Sequence, residues 1–68
     1  MNEDNLNMEI RKFLKKVGIN SQRIIENQIY EANKSGKISL GEEIELEMIL
    51  NIKALNLTNT ISGKIKIN

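Results

Sequence analysis

The chain has 68 residues, a formal net charge of +1, and neither cysteine nor histidine. Disulfide bonds, thiol nucleophiles, cysteine metal sites and histidine bases are therefore excluded, and the charge gives no strong attraction to nucleic acid or anionic membranes. A domain this small usually needs a disulfide, a metal or a partner subunit for stability. Because the composition excludes the first and disfavours the second, we expect a homodimer or larger assembly.

The first predicted element is a helix over about residues 5–17. Its apolar residues recur at the three- and four-residue spacing of one buried stripe: Leu6, Ile10, Phe13, Leu14 and Val17. Asp4 or Asn5 is placed to cap its first amides. Gly18 suits the left-handed position that ends a helix, with Ile19 folding back in a Schellman motif.

The second predicted element is a helix over about residues 22–35, with Ser21 as its N-cap. Its inward stripe is Ile25, Ile29 and Ala32. Gly36 ends this helix, because it suits the left-handed position after the last turn, as Gly18 does for the first helix. Two helices joined by a tight turn predict a helical hairpin.

The second half of the chain changes to an alternating period, which predicts strands over about residues 43–51 and 55–67. Pairing Leu50 with Leu55 places all the apolar residues on one face, and that register suggests a bulge where Glu42 meets Gly63. The fold class is therefore α+β: one domain over residues 1–68, with an N-terminal helical hairpin packed on a C-terminal two-stranded antiparallel β-hairpin.

The predicted core takes the inward positions of all four elements. It comprises Leu6, Ile10, Phe13, Leu14, Val17, Ile25, Ile29, Ile44, Leu46, Met48, Leu50, Leu57 and Ile61.

The glycine turn also suggests a winged helix-turn-helix, whose second helix reads the major groove of DNA. The residues of suitable chemistry in and beside that helix are Lys15, Lys16, Ser21, Gln22, Arg23 and Asn27. Glu26 on the same helix and the acidic strand at Glu43, Glu45 and Glu47 oppose this reading, because DNA-binding domains usually carry a clear basic excess. The charge balance favours an ordinary helical hairpin.

Other kinds of site have little support. Base stacking needs aromatic residues, and the chain has only Phe13 and Tyr30. The carboxylates of the acidic strand are better explained as a solvated face, whose charge Lys64 and Lys66 offset, than as a cation site. We assign no catalytic, cofactor or metal residue, and we do not expect an enzyme.

Three segments resemble an uncharacterised, domain-of-unknown-function family of short bacterial proteins of about this length, found chiefly in proteobacteria. They are Met1-Asn2-Glu3-Asp4, Arg11-Lys12-Phe13-Leu14-Lys15-Lys16-Val17-Gly18 and Ser21-Gln22-Arg23. The family tends to carry a glutamate where Ile24 stands, which would complete a capping box with Ser21. The resemblance implies a bacterial cytoplasmic protein and no activity or cofactor.

The N-terminus also lacks the apolar run of a signal peptide, and no stretch has the length of a membrane span. We therefore expect a cytoplasmic, non-enzymatic interaction or adaptor module that self-associates and binds an unidentified protein partner. The alternative is a winged helix-turn-helix-like DNA-binding protein.

Overall fold

The computed structural model describes all 68 residues, which form two compact units, residues 1–37 and residues 38–68. The first unit is helical and the second is a two-stranded antiparallel sheet. The α+β class and the C-terminal β-hairpin are therefore confirmed, and the single domain over residues 1–68 stays a prediction. The elements are α1 (Glu3–Lys34), β1 (Glu43–Ile52), a short 3-10 helix (Lys53–Leu55) and β2 (Leu57–Lys66).

The helical hairpin is wrong, because α1 is one helix of 32 residues that runs through Gly18 and Ser21. Gly18 has no positive φ, so its backbone is helical and not left-handed. A glycine in a helix interior costs only about 1 kcal/mol, whereas a break would leave up to eight more backbone groups without helical partners. The apolar stripe also continues in phase across Gly18, from Leu14 and Val17 to Ile24 and Ile25.

Both ends of α1 are capped. The side-chain oxygen of Asn2 accepts a hydrogen bond of 3.0 Å from the Asn5 backbone N–H, so the N-cap precedes the predicted Asp4 or Asn5. At the other end, Gly36 has φ +79° and the Lys37 N–H donates to the Ala32 carbonyl at 2.9 Å. This six-to-one bond is the mark of a Schellman motif. The motif predicted at Gly18 is thus found at Gly36.

The strands of the hairpin pair in a different register from the predicted one. Leu50 lies opposite Asn59 and not Leu55, and Met48 lies opposite Ile61. The difference arises in the connection, which forms a turn of 3-10 helix and then a left-handed residue, Asn56, with φ 50°. Because the displacement is an even number of residues, every side chain keeps its predicted face.

The open end of the hairpin contains a β-bulge at Gly41 and Glu42. The Gly41 N–H donates to the Ile67 carbonyl, and the Ile67 N–H donates to the Glu42 carbonyl, so two residues oppose one. Gly41 has φ +91° and lies in a turn in which the Glu42 N–H donates to the Ser39 carbonyl at 3.2 Å. A bulge was predicted at Glu42, but its partner is Ile67, since Gly63 pairs regularly with Leu46.

The chain has almost no buried interior. Ile67, at 9% exposure, is its one buried hydrophobic residue, and it was not in the predicted core. Of the predicted core, Val17, Ile25, Ile29, Ile44 and Leu46 are half-buried and the others are exposed. The predicted core is therefore wrong for this chain alone. Its residues do lie on common faces, but those faces are largely open to solvent.

The backbone at Gly18 gives a test of the continuous helix. We expect Gly18→Ala to stabilise the protein by about 1 kcal/mol, because alanine is the better helix former. An added Cβ at Gly18 meets no atom within 4 Å. The matched control is Gly36→Ala, which we expect to destabilise by about 1–2 kcal/mol because its backbone is left-handed. Urea unfolding followed by circular dichroism measures both, and destabilisation by Gly18→Ala would contradict a helix through this residue.

The bulge gives a second prediction. We expect Gly41→Ala to destabilise the hairpin by about 1–2 kcal/mol, because its positive φ disfavours any residue with a Cβ. Gly63→Ala is the control, since its φ is ordinary and its Cβ position is open. Hydrogen exchange at the Ile67 amide measures the effect, and equal exchange in the two variants would refute the bulge.

Candidate functional site

The most extended apolar surface of the first unit runs along α1. We call it the helix stripe; its members are Leu6, Ile10, Phe13, Leu14, Val17, Ser21, Ile24, Ile25, Gln28, Ile29 and Ala32. Its N-terminal part is open to solvent, with Ile10 46% and Phe13 56% exposed. Its C-terminal part is mostly half-buried and contains the polar Ser21 and Gln28. The helix stripe therefore offers apolar side chains that no part of the chain covers fully.

Charge is unevenly distributed along α1. The first turn carries Glu3 and Asp4, and four basic residues follow in the middle: Arg11, Lys12, Lys15 and Lys16. The second half carries both acidic and basic residues. Lys34 Nζ lies 3.9 Å from Glu31 Oε1, and this exposed ion pair contributes about 1 kcal/mol or less to the free energy of unfolding. No helix of the chain is both long and apolar enough to cross a membrane.

The structure separates Ser21 from the other predicted DNA-reading residues, since Ser21 lies in the helix stripe and the other five lie on the opposite side of α1. Lys15, Lys16, Ser21, Gln22, Arg23 and Asn27 all lie on the single helix α1. Successive helical residues are rotated by about 100°, so Ser21, Gln22 and Arg23 point in three directions. Ser21 is half-buried in the helix stripe, and Gln22 Nε2 donates to Glu26 Oε2 at 3.3 Å. The turn that a helix-turn-helix needs is absent, and the nucleic-acid role of these residues stays a prediction.

The hairpin has one apolar face, which we call the sheet face. It consists of Ile44, Leu46, Met48, Leu50, Ile52, Leu57, Asn59, Ile61, Gly63 and Ile65. The half near the open end of the hairpin is half-buried, whereas Met48 and Ile61 beyond it are 41% and 62% exposed. Only Asn59 is polar, so the alternation of the sequence has produced a one-sided sheet.

The opposite face of the hairpin is polar apart from Ile49, and several of its side chains pair with each other. Lys64 Nζ lies 3.8 Å from Glu43 Oε1, and the pairing of Glu45 with Lys64 and of Glu43 with Lys66 confirms the predicted charge offset. Thr58 Oγ1 donates to Asn51 Oδ1 at 2.7 Å. No group of carboxylates in the chain is arranged to hold a metal ion.

Each strand leaves one hydrogen-bonding edge unpaired, because the sheet has only two strands. The β1 edge carries Glu43, Glu45 and Glu47, whose like charges oppose pairing of two copies through this strand. β2 has no charged residue from Leu57 to Gly63. The β2 edge is therefore the less protected of the two.

An open groove of about 320 Å³ lies beside the end of α1, lined by Gln28, Glu31, Ala32, Ser35 and Lys37. The hydroxyl group beside the groove belongs to Ser35, and it already donates a hydrogen bond of 3.2 Å to the Ala32 carbonyl. Glu31 is paired with Lys34. The groove thus contains a capping residue and an ion pair in place of a nucleophile with an adjacent base.

Comparison with known proteins identifies a family but no activity. No curated protein and no solved structure matches the chain. One family of unknown function matches residues 1–68, the full length, which confirms the resemblance to an uncharacterised family. The chain therefore belongs to DUF6494, a family of unknown function.

Proposed function

We propose that this protein is a small, non-enzymatic interaction module whose working form is a homodimer. The observation that carries the proposal is the amount of apolar surface in contact with solvent. Four large apolar side chains in the N-terminal half of the helix stripe, Leu6, Ile10, Phe13 and Leu14, are 41–56% exposed.

The length of α1 suits a stable interface. A helix of 32 residues is about 48 Å long, and standard protein–protein interfaces bury about 800 Å² on each partner. Much of the exposed surface is of the kind that drives association, since 17 large hydrophobic side chains are 37% exposed or more. The partner we propose is a second copy of this chain, which is always present at the same concentration as the first.

The chemistry of the chain supports a binding role over catalysis. Cysteine and histidine are absent from the sequence, and the Ser35 hydroxyl beside the groove is a capping group. The winged helix-turn-helix alternative is not retained, because α1 continues through Gly18. A further protein partner for the module stays a prediction.

Self-association makes thermal stability depend on concentration, because dilution favours the separate chains. We expect the Tm to rise by about 5 °C for each tenfold increase in protein concentration, from the entropy of unfolding two chains of this size. Circular dichroism at several concentrations measures this. A Tm independent of concentration, together with a monomer mass in sedimentation equilibrium, would contradict the proposal.

A charge placed on the helix stripe should prevent association. We expect Ile10→Asp to raise the Kd of the dimer by about 30-fold or more, because it buries an unpaired carboxylate in the interface. Ile19→Asp is the control, since Ile19 lies off the stripe and is 52% exposed. Sedimentation equilibrium compares the two. An equal loss of association in both variants would show that the stripe is not the interface.

A further inference from the structure

We infer that two copies of α1 pair antiparallel through their helix stripes and cross near Ile19. This inference rests on the proposed function, since it specifies how the homodimer forms. It commits the exposed N-terminal half of the stripe to one occupant, the C-terminal half of the same stripe in a second copy.

Ten of the eleven residues of the helix stripe are symmetric about Ile19, the exception being Ile29, whose counterpart is Glu9. Stripe residues at equal distances on either side of this position form five pairs: Leu6 with Ala32, Ile10 with Gln28, Phe13 with Ile25, Leu14 with Ile24, and Val17 with Ser21. An antiparallel pair of helices with a twofold axis brings such positions to the same level. Every one of these levels is then occupied by two stripe residues.

The sizes of the paired side chains also suit this arrangement. In three of the five pairs the residue from the N-terminal half is the larger one, and in the other two pairs the side chains are similar in size. Leu6 would meet Ala32, and Val17 would meet Ser21. Large residues facing small ones allow two helices to interdigitate at the usual separation of about 8–10 Å between axes.

The charges of α1 decide between parallel and antiparallel pairing. A parallel pair would place the basic segment of residues 11–16 beside the same segment of the second copy, and the acidic first turns beside each other. The antiparallel pair instead places this basic segment beside residues 22–27, where Glu26 and Arg23 balance each other. It also places the acidic first turn at the level of Lys34. Most of these side chains point away from the interface, so they act through their longer-range field, which is strongest at low salt. Segments of like charge at the same level repel each other, so the antiparallel order is favoured.

Disulfide trapping tests the direction of pairing, because the natural chain has no cysteine to interfere. Two full-length variants, Ile10→Cys and Gln28→Cys, are mixed in a glutathione redox buffer, with an isotope label on one of them. Mass spectrometry then separates the mixed disulfide from the two symmetric ones. In a parallel pair residues 10 and 28 are about 27 Å apart, far beyond the Cα separation of a disulfide.

We expect the mixed disulfide to exceed the symmetric products by about tenfold or more, because only the mixed pair is held at high effective concentration. The matched control is a mixture of Lys12→Cys and Glu26→Cys, which are also equidistant from Ile19 but lie on the opposite face of α1. We expect these thiols to give only the statistical mixture of products.

Each other outcome overturns the inference in a distinguishable way. An excess of the symmetric disulfides would establish parallel pairing and leave the homodimer intact. A dimer mass in sedimentation equilibrium without trapping above the outward-facing control would place the interface outside the helix stripe. A monomer mass without trapping would remove both the inference and the proposed function.

Discussion

The continuity of α1 through Gly18 is the constraint on which the rest of the molecule depends. Two short helices joined at this point would be free to fold together and cover each other's apolar residues. A single helix of 32 residues has no such freedom, because a helix cannot pack against its own surface. The helix stripe therefore cannot be covered by α1 itself, and its apolar side chains need a second surface.

The sequence pattern predicts a good part of this fold for clear physical reasons. Alternation places the strands and their faces correctly, because the side-chain period of a strand is two. The end of the second predicted helix at Gly36 is also correct. What failed is the choice between two glycines with the same local chemistry. After Gly36 the helical period stops, whereas after Gly18 it continues in phase through Ser21 and Ile25, and that continuity was the available signal.

The strand register was beyond the reach of the pattern. An alternating sequence looks the same when one strand slides by two or four residues, so hydrophobicity fixes the face and leaves the partner open. The connection between the strands determines the register, and here it contains a 3-10 turn followed by the left-handed residue Asn56. The candidate site shows a related limit. Seven of the eleven stripe residues were predicted as core, since periodicity does not reveal whether the covering surface belongs to the same chain.

An uncharged, unpaired strand edge is the feature through which strands of separate molecules can add to one another, and β2 has such an edge. The segment Leu57–Ser62 combines β-forming residues with no charge and no proline, as in the short sequences that stack into steric zippers. Stacking of this kind needs only an open strand edge. Preparations held for long at high concentration should therefore be examined for cross-β seeds, and a charge introduced at Thr60 is the natural gatekeeper against them.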